Sequence, residues 1–446
     1  MAFEFRDSTG AACGSTEFAK ELLADCTADL DASLAEAIRT ESDWRANYQH
    51  YFYELTKHEF AGSLAFAKFA DELPARITNS AGESLTALAN RGFANRTELK
   101  YETIKGSGVR KGIDLPQVAS TLNLHSATSD ALHALDWVRA NREVSLDGEI
   151  LVALSGNAEL SATKSWLDWG GTVAVLARKN DAKYAELIAH AKHSAGTLFY
   201  VEAGVDLVND IETCAHFIRT LSTLGSRLVV ASYGYAPGAN QIKLQAAQIA
   251  LANVAMQLPK SQVALAWLAT PLDVVVADVE MAERQIAGYS ARPAATRIRD
   301  SFWQLFGGLQ PCAPEIMDGD VPLAVFDCSS NRQGSSYLLA KHSERWLAMK
   351  AARSGVHIVF AVAPPATTRS ELGAKKILIR TYSGLARFGV RPLEASDTAA
   401  LMAGILVRGL HDAAAPQDTH STAIHAGFWS LPYRLDSVLV PASLLG

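Results

Sequence analysis

Ser329-Ser330-Asn331-Arg332-Gln333-Gly334-Ser335-Ser336-Tyr337-Leu338-Leu339-Ala340-Lys341 follows the apolar run Pro322 to Phe326, and its reading decides how the rest of the chain is understood. A short apolar run closed by Ser, Asn and Gly reads as a buried strand, and the residues after Gly334 read as the start of a helix. On that helix Tyr337 and Lys341 stand four positions apart and therefore share a face. An ammonium beside a phenol favours the phenolate and lowers the phenol's pKa. The phenol can then exchange a proton with a carbonyl or alcohol oxygen near neutral pH.

From Glu149 onward, apolar and β-branched runs alternate with helical stretches. The runs are Ile150 to Leu154, Thr172 to Leu176, Leu198 to Val201, Arg227 to Ala231 and Val263 to Leu268. Such alternation builds a parallel sheet covered on both faces, and Pro322 to Phe326 and Val356 to Val362 are expected to extend it. The expected fold is α/β, a Rossmann-like doubly wound parallel sheet spanning residues 149–446. A helical N-terminal region (1–97) and a linker or arm (98–148) precede it. From Ser15 to about Arg91 the apolar positions keep a helical rhythm, with Ser42 and Asp43 as candidate N-caps, and the aromatic cluster Tyr48 to Tyr53 is expected in a core. Gly106, Gly108, Gly112 and Pro116 suit a linker. Ser232-Tyr233-Gly234-Tyr235-Ala236-Pro237-Gly238, with the following helix bearing Gln241, Lys243 and Gln245, is expected to be an extra α/β insertion near 226–260 with a structural turn at Pro237-Gly238.

In parallel sheets ligands lie beyond the carboxyl ends of the strands, where the strand order reverses. The loop Ser155-Gly156-Asn157-Ala158-Glu159-Leu160-Ser161-Ala162 follows the first strand. A dinucleotide pyrophosphate needs glycines there so that the backbone can come close at a helix N-terminus. Gly156 is present, Leu160 and Ala162 occupy the later glycine positions, and Glu159 brings a carboxylate. Gly156, Asn157 and Leu160 are the candidate contacts of this loop. The second strand ends in Arg178-Lys179, at the position that faces an adenosine ribose. Basic residues there can hold a 2′-phosphate, which points to NADP rather than NAD.

The segment Leu323 to Leu406 resembles the ketoacyl-reductase domain of type I fatty acid synthases, a branch of the short-chain dehydrogenase/reductase superfamily. The resemblance rests on a strand ending in Ser, Asn331-Arg332, Tyr-x-x-x-Lys at Tyr337 and Lys341, Arg345-Trp346, and a later strand leading to Thr368-Arg369. Gly389-Val390-Arg391-Pro392-Leu393 and Asp397-Thr398-Ala399-Ala400 complete it. Upstream, Gly170-Gly171-Thr172-Val173 through Arg178, and Asn209-Asp210-Ile211-Glu212, are similar to that domain's cofactor half, so the likeness spans about Glu149 to Leu410. It implies Tyr337 as proton donor to a substrate carbonyl and Lys341 as the group that lowers its pKa and binds the nicotinamide ribose. Ser329, less directly Ser330, would be the hydroxyl on the carbonyl oxygen, and Thr368 would lie beside the nicotinamide carboxamide. Hydride would come from the cofactor.

At 446 residues the chain is long enough for more than one unit. With 49% hydrophobic and 20% charged residues and a formal charge of −6, it carries no polyanion footprint, so neither nucleic acid nor a membrane surface is an expected partner. Cys13, Cys26, Cys214, Cys312 and Cys328 lack metal spacing, and their odd number argues against a disulfide framework; a reducing cytoplasmic setting is expected. His420 and His425 suit a solvated loop better than a metal site, so no metal is expected. The sequence therefore reads as an NADPH-dependent carbonyl reductase of 3-ketoacyl type, acting on a small-molecule or carrier-bound acyl substrate and forming a homo-oligomer by analogy with the superfamily. The alternative is a cofactor-free descendant that uses the pocket for binding or for proton-transfer chemistry such as isomerisation, cyclisation or dehydration, or that serves as a partner of a biosynthetic assembly. The loop Ser155 to Ala162 separates the two readings.

Overall fold

The computed structural model describes residues 2–59, 63–122, 127–179, 182–306, 308–312, 314–317, 322–330, 333–368, 381, 384–390, 392–417 and 433–445, without the side chains of 63–65, 277–278, 285, 288–289 and 435. Asn180, Asn331, Arg332, Arg369, Arg391, His420 and His425 lie outside the described residues.

The chain begins with strands β1 (Glu4–Arg6) and β2 (Ala12–Cys13), then helices α1 (Ser15–Thr27), α2 (Ala32–Thr40), α3 (Trp44–Glu59) and α4 (Ser63–Ala75), strand β3 (Ile77–Thr78) and helix α5 (Leu85–Ala94). The three short strands form a small antiparallel sheet in the order β2-β1-β3. Strand β4 (Glu102–Lys105) and helix α6 (Ser129–Ala140) follow. The alternating part then runs β5 (Glu149–Leu154), α7 (Thr163–Asp168), β6 (Thr172–Leu176), α8 (Ala182–His193), β7 (Thr197–Tyr200), α9 (Ile211–Leu221), β8 (Arg227–Ser232), α10 (Asn240–Ala255) and β9 (Val263–Ala269). Next come β10 (Val274–Asp278), α11 (Val279–Ser290), α12 (Ala294–Phe306), β11 (Pro314–Met317) and β12 (Leu323–Asp327). The last stretch holds α13 (Ser335–Arg353), β13 (His357–Val362), β14 (Ala366–Thr367), β15 (Leu393–Glu394), α14 (Ala395–His411) and α15 (Leu435–Leu445).

Among the described residues the main sheet has seven strands in the order β13-β9-β8-β5-β6-β7-β4, parallel except for β4, which pairs antiparallel with β7. Numbered from β5, the six parallel strands follow the order 3-2-1-4-5-6, the Rossmann pattern. The chain reverses direction across the sheet between β5 and β8, and the Tyr233 amide donates to the Leu154 carbonyl at 3.0 Å where their ends diverge. Alternation along each strand separates two cores. Ile150, Val152 and Leu154 join a cluster with α9, α10 and α13, while Leu151 and Ala153 join Trp166, Leu187 and Leu406 from α7, α8 and α14. The architecture is thus mixed α/β around a mostly parallel sheet.

Three expectations fail on connectivity. Leu323–Asp327 does not extend the main sheet; it is the centre of a separate antiparallel sheet, β10-β12-β11. The unit near 226–260 is no addition, since β8 lies in the main sheet between β5 and β9; the segment inserted between β9 and α13 is β10 to β12. Residues 98–148 are no free linker. Besides supplying β4, they carry Gly106, where a Cβ would lie 2.0 Å from the Ser194 carbonyl oxygen; the glycine serves close backbone approach rather than flexibility.

The helices before β4 share the main core. Phe18, Phe52, Phe66 and Phe69 are fully buried in the cluster that holds α13, and Phe66 and Phe69 pack on Trp346 with ring centroids 5.0 and 4.4 Å apart. Tyr48, Tyr51 and Phe52 of the aromatic cluster are likewise buried. No helix among the described residues is long and apolar enough to cross a membrane.

Candidate active site

Helix α13 starts after Gly334, whose φ of +74° and ψ of 163° favour a residue without a Cβ. Its first turn sets Tyr337 and Lys341 on one face, the Lys341 Nζ lying 5.9 Å from the Tyr337 ring centroid. Lys341 donates to the Leu268 carbonyl at 3.2 Å, near the carboxyl end of β9, and pairs with Glu344 at 2.9 Å. The Tyr337 hydroxyl lies near Thr270, whose side chain lowers the phenol's pKa. Thr270 Oγ1 accepts from the Leu272 amide at 3.2 Å. Tyr235 stands edge-on to Tyr337 with centroids 6.1 Å apart; it is 63% exposed, so it forms the outer wall of the site.

Burial raises the Tyr337 pKa, and this outweighs the downward pull of Lys341 and of the Thr270 side chain; Glu344 and Asp273 push it up further. The expectation of a phenol tuned toward neutrality is therefore corrected. Lys341 also loses to burial, but Glu344 and the phenol more than restore it, and its pKa is raised. At neutral pH the site holds a phenol with its proton in place, and burial raises the pKa of Glu344 against the pull of Lys341.

Thr270 was not singled out from the sequence, although it directly follows an expected strand, the position where parallel sheets place ligands. The hydroxyls of Ser329 and Ser330 lie at the end of β12 and are engaged elsewhere. Ser329 Oγ donates to Asp327 at 2.5 Å and accepts from Gln49 at 3.0 Å, and Ser330 Oγ donates to Asp436 at 2.6 Å. Thr368 is half-buried and directly follows β14.

Behind α13 lies a buried ionic cluster that the sequence did not reveal. His342 is fully buried between two carboxylates, its Nδ1 3.0 Å from Glu59 and its Nε2 2.8 Å from Asp273. Arg345 donates to both oxygens of Glu59 at 2.7 and 2.8 Å and to the Val274 carbonyl at 3.0 Å. Burial disfavours charge here, but Asp273 and Glu59 raise the His342 pKa while Arg345 and His342 lower those of the two carboxylates, so the members favour one another's charged forms. The cluster ties α3 and the Thr270–Asp273 segment to α13.

At the head of α7 the loop turns on itself. Ser155 adopts a left-handed φ of +62°, the Gly156 and Ala158 amides donate to Ala153 and Ser155, and the Ser161 amide and hydroxyl donate to Ala158 and Gly156. Glu159 pairs with Lys183 at 3.0 Å. Leu160 and Ala162 line an apolar cleft with Tyr233, Trp267, Met402 and Ile405. Asn157 is half-buried within the loop. Arg178 is 75% exposed, 3.7 Å from Asp206, and Lys179 is exposed beside it. The residues fit the two ends of a nicotinamide dinucleotide phosphate, at Arg178-Lys179 and at Tyr337-Lys341. They fit its pyrophosphate poorly, because the Gly156, Ala158 and Ser161 amides are bonded locally, a carboxylate stands among them and α7 has only six residues. Among the described residues no group of three or more His, Cys, Asp or Glu could hold a metal ion.

No protein-family model matches the chain, and no curated protein matches it. Solved structures similar to it include a short-chain dehydrogenase/reductase from Serratia marcescens, 12% identical over 63% of this chain and 95% of that one, with a TM-score of 0.37. Two doubly substituted variants of that enzyme align over the same shares at 12% identity, with TM-scores of 0.38 and 0.39.

Proposed function

We propose that this chain is an acid–base catalyst acting on a carbonyl or hydroxyl oxygen, with Tyr337 as the proton donor, Thr270 as a second hydroxyl on the same oxygen and Lys341 as the cation behind them. The placement of Lys341 5.9 Å from the Tyr337 ring, with its ammonium held at the carboxyl end of β9, supports this reading. A substrate oxygen placed between the two hydroxyls would accept hydrogen bonds from both, and charge developing on it would be neutralised by the phenol's proton. The phenolate left behind would be held by Lys341 and by Thr270. Tyr235 would cover the outer side and limit water.

The redox form of this chemistry, NADPH-dependent reduction of a 3-ketoacyl-type carbonyl on a small molecule or acyl carrier, is favoured by the exposed pair Arg178 and Lys179. Thr368, Gly156, Asn157 and Leu160 would then lie along the cofactor. The non-redox form, proton transfer without a nucleotide in a pocket descended from a reductase, is favoured by the self-bonded loop at Ser155 to Ala162. Fluorescence titration of the full chain with NADPH, alongside Arg178→Ala, separates them. Saturable binding weakened about tenfold by Arg178→Ala, one lost charge-assisted contact, supports the redox form. Absence of binding to the intact chain, with solvent deuterium entering an acetoacetyl thioester, supports the non-redox form. Failure of both NADPH-linked reduction and deuterium exchange with that thioester would count against the acid–base reading itself.

A further inference from the structure

Strands β11 and β12 pair with Pro314 opposite Phe326 and Glu315 opposite Val325. Two positions further along the same ladder, beyond the paired ends, stand Cys312 and Cys328. Both are buried, at 4% and 0% exposure, and their sulfurs are 2.9 Å apart. A disulfide bond measures about 2.05 Å, so less than an ångström of approach separates contact from bond. Cys312 Sγ also lies 3.3 Å from the Asp327 carbonyl oxygen, and the Cys328 amide donates to the Asp273 carbonyl at 3.1 Å.

We propose that Cys312 and Cys328 are a site of reversible disulfide formation. One thiolate attacks a small external disulfide such as oxidised glutathione and forms a mixed disulfide while releasing one reduced thiol. The second cysteine then displaces the other thiol and closes the intramolecular bond. The pair is oxidised by two electrons, the external disulfide is reduced to two thiols, and no further oxidant enters. The cross-link closes the β11-β12 hairpin on itself. Through Cys328 and Asp273 it also braces the segment that presents Thr270 and holds His342. Neither the pairing nor its consequence depends on the reading of Tyr337.

The full chain is incubated with oxidised glutathione, quenched in acid, alkylated under denaturing conditions and mapped as peptides. The expected result is a single linked peptide pair containing Cys312 and Cys328, loss of two of the five alkylatable thiols, and restoration of both by dithiothreitol. The oxidised chain should unfold a few degrees higher than the reduced one, and Cys312→Ser and Cys328→Ala should each abolish that shift. Full alkylation of both cysteines after oxidation, or stable glutathione adducts on either without linkage, would overturn the proposal. A linkage found equally in Cys312→Ser would do the same.

Discussion

Replacing Tyr337 with Phe is expected to lower turnover by about 10²- to 10⁴-fold, the usual worth of a positioned proton donor. The fold should be kept, because the ring stays packed and Lys341 remains paired with Glu344. Turnover of an acetoacetyl thioester, followed by NADPH consumption or by deuterium exchange, provides the measurement, with circular dichroism to show that the variant is folded. The pH profile gives a second readout. Since burial holds the Tyr337 pKa above the ordinary phenol value, its proton stays in place through neutrality, and the wild-type limb assigned to it should fall only in the alkaline range. A Phe variant with wild-type turnover would remove Tyr337 from the chemistry.

The second large effect is structural. Glu59→Ala leaves His342 and Arg345 without their shared carboxylate in a fully buried place, and breaking a buried pair in this way costs about 3–5 kcal/mol. Chemical denaturation of the variant should show that loss, and the pH dependence of stability should change with it. The His342 pKa is raised: burial pulls it down, but Asp273 and Glu59 overcome that pull. Its contribution is therefore complete below the ordinary imidazole value and is lost as pH rises through the raised one. The pKa values of Glu59 and Asp273 are lowered in spite of burial, Glu59 chiefly by Arg345 and Asp273 chiefly by His342. Their contributions are present above the ordinary carboxylate values and are lost as pH falls through the lowered ones. The wild-type curve should fall on both sides, and Glu59→Ala should flatten both limbs. A variant within about 1 kcal/mol of wild type, well below the range for a broken buried pair, would show that the cluster is not the tie it is taken to be.

What could be read from the sequence follows from local patterning. Thr172 to Leu176 is a strand with those bounds, and the runs near Ile150, Leu198, Arg227, Val263 and Val356 are strands shifted by a residue or two, because short apolar runs bounded by polar turns have few alternatives. The helix that begins near Tyr337 was legible for the same reason. Which sheet a strand joins was not, since pairing is settled by distant partners. Leu323–Asp327 looks the same in sequence whether it adds to the main sheet or pairs with Val274–Asp278. That misplacement hid Thr270. With Pro322 to Phe326 taken as the neighbouring strand, Ser329 stood where a hydroxyl was wanted, whereas the strand that Lys341 of α13 reaches is Val263–Ala269. The cluster of Glu59, Asp273, His342 and Arg345 was out of reach because its members come from three separate parts of the chain and only folding brings their charges together.

The short strand Glu102–Lys105 closes the side of the main sheet next to Thr197–Tyr200. A shortened chain beginning at residue 149 would present the backbone amides and carbonyls of that rim to any neighbour, together with apolar surfaces now covered by Phe52, Phe66 and Phe69. Such a fragment is expected to associate through its bare rim, which light scattering of the shortened chain beside the full one would check.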